Sequence, residues 1–233
     1  MGWYNLRTQE PPVNLDFLPT IPEIIIYVII LLTAFPVHEF AHAWTADRFG
    51  DDTPRRYGRL TLNPVAHLDL FGSLALILAG FGWAKPVPVN EYALRRHSSS
   101  ALMWVSLAGP LYNLVMAILA GFLLRLIYSV ALDFIPGQIL YYLFIFLFQF
   151  VWVNLFLMLF NLLPLYPLDG EKVLDHFLPA NLSRALESLR PYGSLILMAV
   201  IFLLPRVGID VIGTVIRPAL YFLADLLTGF GTG

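Results

Sequence analysis

Cysteine is absent from the 233 residues, which excludes a disulfide framework, a thiolate metal ligand and a cysteine nucleophile together. Any metal bound by this chain must take nitrogen and oxygen donors. Charge is scarce as well: Asp, Glu, Lys and Arg make up 13% of the residues, the net charge is −2, and Lys and Arg form no long block. Without a basic footprint, nucleic acid is excluded as a partner. Solenoid-period repeats and low-complexity tracts are missing too. The opening stretch MGWYNLRTQEPPVNLDFLPT lacks the succession of basic residues, apolar core and small-residue cleavage site that marks a secretory leader, so no removable signal peptide is expected.

What fills the chain instead is apolar. Hydrophobic residues reach 58%, with 18 Phe and 11 Tyr, and the mean hydropathy is +0.73. A water-soluble domain cannot hide that much apolar surface, and runs near the ~20-residue spanning length recur along the sequence. The expectation is one integral membrane domain over residues 1–233.

The first run starts near Pro22, a residue suited to a helix N-terminus, and reaches about Ala46. Residues 47–69 are charged and rich in turn formers and read as a surface loop. The piece LFGSLALILAGFGW is too short and Gly-rich for a comfortable crossing of ~30 Å of hydrocarbon, so residues 70–82 read as a re-entrant hairpin or short strand pair. After a second surface loop at 83–100, two further spans are expected at about 101–129 and 139–163. Residues 171–190 read as a short amphipathic helix and loop, and two shorter peripheral helices are expected at about 192–204 and 207–228. With residues 70–82 turning back, ten of the 14 basic residues fall on one side of the membrane, which the positive-inside rule makes cytosolic.

Against that apolar background stands FPVHEFAHAWTADRFG, residues 35–50. His38 and His42 are four apart and share one helix face, close enough to grip a single cation, with Glu39 turned about 100° around the helix. H-E-x-x-H is a zinc protease pattern: imidazoles hold Zn²⁺ and the carboxylate takes a proton from the metal's water. Lone histidines in helical bundles are also satisfied by carbonyls, but ionisable groups at a spanning-helix centre cost roughly 2.5–3.5 kcal/mol each, and a bound cation compensates three at once. Two imidazoles leave zinc short of a third protein ligand. The spacing at which metzincins carry a third His is occupied here by Arg48. Asp169 follows a long apolar run in NLLPLYPLDG. Pro164 and Pro167 should unwind the span before it, and Gly170 should permit a tight turn that aims it inward. The competing reading makes Asp169 an N-cap for residues 171–177.

HEFAH together with N-x-x-P-x-x-P-L-D-G from Asn161 to Gly170 resembles the site-2 protease family of intramembrane zinc metalloproteases. AGPLYN at 108–113 is similar to the family's G-x-x-x-N element, and FGWAKPVPVN at 81–90 is similar to small bacterial and archaeal members. The resemblance covers about residues 35–177 and includes no PDZ-sized insertion. It implies an all-α polytopic membrane protein with a three-helix catalytic core (about 21–177), a re-entrant or short β segment and two peripheral C-terminal helices (about 191–230). It implies one Zn²⁺ on His38, His42 and Asp169, with Glu39 as catalytic base and Asn113 and Asn161 lining the cleft to hold substrate or oxyanion. The substrate it implies is a single-span membrane protein, cleaved within or near its helix.

The remaining polar residues read as structural. Gly109 allows close helix packing, His67 is an interfacial solvated histidine, His97 and His176 are surface residues, and Asn154 and Gln149 satisfy each other. The rival function is a multipass metal transporter or channel that uses the His/Asp cluster as a transit site. A transporter would string ionisable positions along a path or carry paired inverted repeats, and the sequence shows neither.

Overall fold

Why residues 21–48 are helical is not obvious from propensity, because EIIIYVIILL is rich in β-branched side chains that favour strands in water. Length and environment override that preference: a segment in hydrocarbon must satisfy its backbone internally, and a single span can do so only as a helix. The computed structural model of the protein describes residues 21–69, 72, 85–130 and 136–230. In it α1 runs over Ile21–Arg48. Short helices follow at α2 (Thr53–Arg56), α3 (Pro64–His67) and α4 (Glu91–His97). Two long helices come next, α5 (Ala101–Val130) and α6 (Gly137–Asn161).

Residues 162–168 are irregular, and α7 (Asp169–Phe177) begins directly at the aspartate. A break at Leu178–Pro179 separates it from α8 (Ala180–Leu189), which continues through α9 (Gly193–Met198) as one helical path to Val207. The last helix, α10, is Val211–Thr228. Among the described residues, five helical stretches are long and apolar enough to cross a membrane: Ile24–Arg48, Ala101–Val130, Gly137–Asn161, Ala180–Val207 and Val211–Thr228. Among the described residues there is no sheet. The expected re-entrant piece at 70–82 lies, Gly72 aside, outside the described residues.

The three expected spans fall within two or three residues of the observed helices. The C-terminal part differs: the penultimate helical path begins at Ala180, about a dozen residues before the expected start at 192. Polar ANLSRALESL carries its apolar residues on one face only, so it does not read as spanning by itself, although it is continuous with the apolar turns that follow.

Helix α5 packs most extensively on α6 and α1, and α10 packs on α5 and α6. Small residues permit this: Ala108, Gly109, Ala117, Ala120 and Gly121 lie on the buried side of α5, where backbones without bulky side chains approach closely. The buried stripe of α1 is Ile26, Ile30, Ala34, His38, His42 and Ala46, each four residues after the last. The two histidines therefore occupy positions in the same inward stripe as core aliphatics, which fixes where their rings must go.

Between α3 and α4, residues 85–90 are tied down at three points. The Lys85 N–H donates to His67 O (2.8 Å), Val87 N–H to Glu39 Oε2 (3.2 Å) and Asn90 N–H to Asp51 Oδ2 (2.6 Å). Arg59, nearly fully buried, donates to the carbonyls of Ala66 and Lys85 and stitches the two surface loops together.

Candidate active site

His38 and His42 come from the C-terminal half of α1, and Asp169 opens α7 after the irregular turn. Pro164 and Pro167 end the long helix as expected, with the last helical residue at Asn161. Gly170 acts differently from expectation. It sits inside the first turn of α7, pressed against the end of α6, where an added Cβ would lie 2.3 Å from Leu162 O and 2.5 Å from Leu163 O. Space, rather than a left-handed turn conformation, demands the glycine. Leu168 occupies the N-cap position and gives no side-chain cap, so the Asp169 carboxylate is left for another task.

That task is visible in the distances. Asp169 Oδ2 lies 3.2 Å from His38 Nε2 and 3.3 Å from His42 Nε2, and the two Nε2 atoms are 3.0 Å apart. His42 Nδ1 is 2.7 Å from the carbonyl of Val105, which can only accept, so the proton is on Nδ1 and Nε2 presents a lone pair. His38 Nδ1 is 2.5 Å from Asn113 Oδ1, which has the same consequence for its ring. Three acceptor atoms thus converge on one point, and a cation satisfies all of them together. Ligands at ~2.0–2.1 Å from a tetrahedral zinc stand about 3.3 Å apart, close to the separations seen here.

Gly109 supplies the space. Its missing Cβ would fall 2.4 Å from His42 Nε2 and 2.6 Å from His38 Nε2, so the backbone of α5 forms the floor under both rings. The nitrogen and oxygen donors, their spacing and this cradle fit a zinc ion. No other group of three His, Cys, Asp or Glu among the described residues comes together in this way.

Glu39, half-buried, accepts the Val87 N–H, a partner no local pattern announces because 48 residues separate the two. Asn113 is 0% exposed, and its amide nitrogen donates to Asn154 Oδ1 at 2.9 Å. With both ends of the amide engaged and no accessible surface, it faces His38 and Asn154 instead of lining the expected cleft in this structure. Asn154 pairs with Asn113 rather than Gln149. Asn161, half-buried at the end of α6, donates to Leu157 O at 2.9 Å and stands at the edge of the irregular turn.

His67 is 1% exposed rather than solvated. Its Nε2 donates to Thr61 O (2.8 Å), and its backbone carbonyl receives Lys85, so it is a strut of the surface loops. His97 and His176 are exposed, as expected.

A helical membrane protein whose two buried His and one partly buried Asp side chain form a cation cradle beside a carboxylate belongs, by fold and site, with membrane-embedded metalloenzymes. The sequence profile of Peptidase family M50 matches residues 127–204, a stretch that contains Asp169. The candidate zinc metalloprotease YwhC of Bacillus subtilis is 40% identical over 182 residues, covering 76% of this chain and 80% of the relative. Rip2 of Mycobacterium tuberculosis is 31% identical over 201 residues, 84% of this chain and 71% of the relative, and MJ0611 of Methanocaldococcus jannaschii is 33% identical over 156 residues, 65% and 71%. Both carry the same zinc metalloprotease description. No solved structure matches. The chain belongs to peptidase family M50, the site-2 protease family, and is an integral membrane protein.

Proposed function

We propose that the chain is an intramembrane zinc metalloprotease, organised as a single peptidase domain over 1–233, that hydrolyses a peptide bond within or near the transmembrane helix of single-span membrane proteins. The observation that carries this reading is the convergence of His38 Nε2, His42 Nε2 and Asp169 Oδ2 over Gly109, with Glu39 next along the same helix. His38, His42 and Asp169 hold one zinc ion. When bound, zinc acidifies a water toward pKa ~7 and polarises the scissile carbonyl.

Glu39 takes the proton from the attacking water and returns it to the leaving amine. The Val87 N–H holds one carboxylate oxygen, so the other is oriented for that transfer. Asn161, at the mouth of the irregular turn, contacts the substrate backbone or the developing oxyanion. A substrate helix must unwind before attack, because its scissile amide is otherwise shielded by intrahelical hydrogen bonds. The catalytic core is formed by α1, α5 and α6 with the start of α7, and the site opens toward the cytosolic side, where most basic residues fall.

Replacing Glu39 with Gln tests this. Cleavage of a reporter single-span substrate in proteoliposomes should drop by about 10²–10⁴-fold, while zinc stays near one per chain. Undiminished cleavage in that variant would overturn the protease reading.

A further inference from the structure

The side-chain amide of Asn113 could present either its oxygen or its nitrogen to His38, and the two choices have opposite consequences. With Oδ1 toward the ring, His38 keeps its proton on Nδ1, and Nε2 is a free ligand. With Nδ2 toward the ring, Nδ1 must accept, the proton moves to Nε2, and that nitrogen can no longer hold a metal. Asn113 itself does not decide between them.

Its neighbour does. Asn154 is 0% exposed and lies one hydrogen bond further from the cradle, on α6. Its Nδ2 is 2.8 Å from the carbonyl of Phe150, four residues back on its own helix. A carbonyl can only accept, so Asn154 must turn its NH₂ that way and its oxygen toward α5. That oxygen accepts from Asn113 Nδ2 at 2.9 Å, which leaves Asn113 Oδ1 to face His38 Nδ1 at 2.5 Å. The polarity of the whole chain is set at its far end by a backbone group that cannot reverse. All four partners are buried, so water cannot substitute for any of them.

We propose that Asn154 is a positioning residue for the metal site, selecting through Asn113 the ring tautomer of His38 that leaves Nε2 free to bind zinc. The proposal rests on the zinc-site reading above and concerns a residue that touches neither the metal ligands' donor atoms nor the cleft. Partners of this kind, one shell out from metal-bound histidines, typically change metal affinity by about 10–100-fold when removed.

Nitrogen NMR of histidine-labelled, metal-free protein in nanodiscs reads the tautomer of His38 directly, and competition with a chelator reads zinc affinity. Wild type should show Nδ1 protonated, whatever proton Nε2 shares with the Asp169 carboxylate 3.2 Å away. Asn154→Leu should shift His38 toward Nε2–H and weaken zinc by about 10–100-fold. Asn154→Asp, whose carboxylate can still accept from Asn113, should retain the wild-type tautomer. The decisive variant combines Asn113→Asp with Asn154→Leu: a carboxylate at 113 can only accept, so it should restore Nδ1–H and tighter zinc binding without any help from position 154. A packing role for Asn154 predicts no such rescue. If Asn154→Leu leaves the tautomer unchanged, or if the double variant is as weak as the single one, the proposal is wrong. A wild type that shows the tautomer difference from Asn154→Leu but binds no zinc would sink the metal reading and the positioning role with it, leaving only the polarity of the Asn154–Asn113–His38 chain.

Discussion

At Gly109 the backbone of α5 touches both imidazoles, and no side chain larger than hydrogen fits. Gly109→Ala places a methyl 2.4 Å from His42 Nε2 and 2.6 Å from His38 Nε2. Neither ring can retreat, because His42 is anchored to Val105 and His38 to Asn113. Overpacking of this kind costs about 1–3 kcal/mol, which corresponds to roughly 5- to 150-fold in zinc affinity if the site absorbs it. Isothermal titration with zinc should show that loss, while far-ultraviolet dichroism remains that of the wild type. The same residue read in isolation is only a small helix-packing position. Its relation to the ligands exists because α1 and α5 cross at that point. Asn113 makes the same point in the other direction, since a polar residue in a span suggests a functional surface, whereas here it is wholly enclosed.

Among the elements, the segment 85–90 has the most direct bearing on the chemistry. KPVPVN offers few backbone donors, because Pro86 and Pro88 have no N–H. The Val87 N–H between them points at Glu39. Val87→Pro removes that donor while leaving the flanking prolines and the apolar surface largely as they are. The expected result is a fall in kcat with zinc stoichiometry unchanged, read from substrate cleavage and metal analysis on the same preparation. Helix α7 shows the complementary device: Gly170 docks its first turn on the carbonyls that close α6, so the direction of the Asp169 side chain is set by backbone packing rather than by a cap.

Taken as a whole, the molecule ties its active end to its C-terminal helices through Arg190, which pairs with Glu171 and more loosely with Asp175. Glu171, two residues after Asp169, is 0% exposed and accepts from Arg190 Nε at 2.8 Å across 19 residues of sequence. Arg190→Ala leaves a buried carboxylate without its partner, a change that typically costs about 3–5 kcal/mol. Glu171→Gln keeps a neutral acceptor and should cost clearly less. Thermal unfolding in detergent should rank wild type above Glu171→Gln and Glu171→Gln above Arg190→Ala. The cysteine-free chain also permits a clean test of orientation: Arg56→Cys and His97→Cys should both react with an impermeant maleimide in inside-out vesicles and not in right-side-out ones. Labelling from the other side would reverse the proposed topology.

The spans, the shared face of His38 and His42, and the break before Asp169 could all be read from the order of residues alone. Each follows from local rules: hydrocarbon demands helices of about twenty residues, a four-residue spacing stacks side chains, and proline ends a helix. The partners of those residues could not be read in the same way. That Val87 holds Glu39, that Gly109 floors the ligands, that His67 is an internal strut and that Asn154 stands behind Asn113 depend on which helix faces come into contact. Contacts across 41 or 48 residues leave no periodic trace in a sequence, because any small or polar residue on a buried face could serve until packing selects its neighbour.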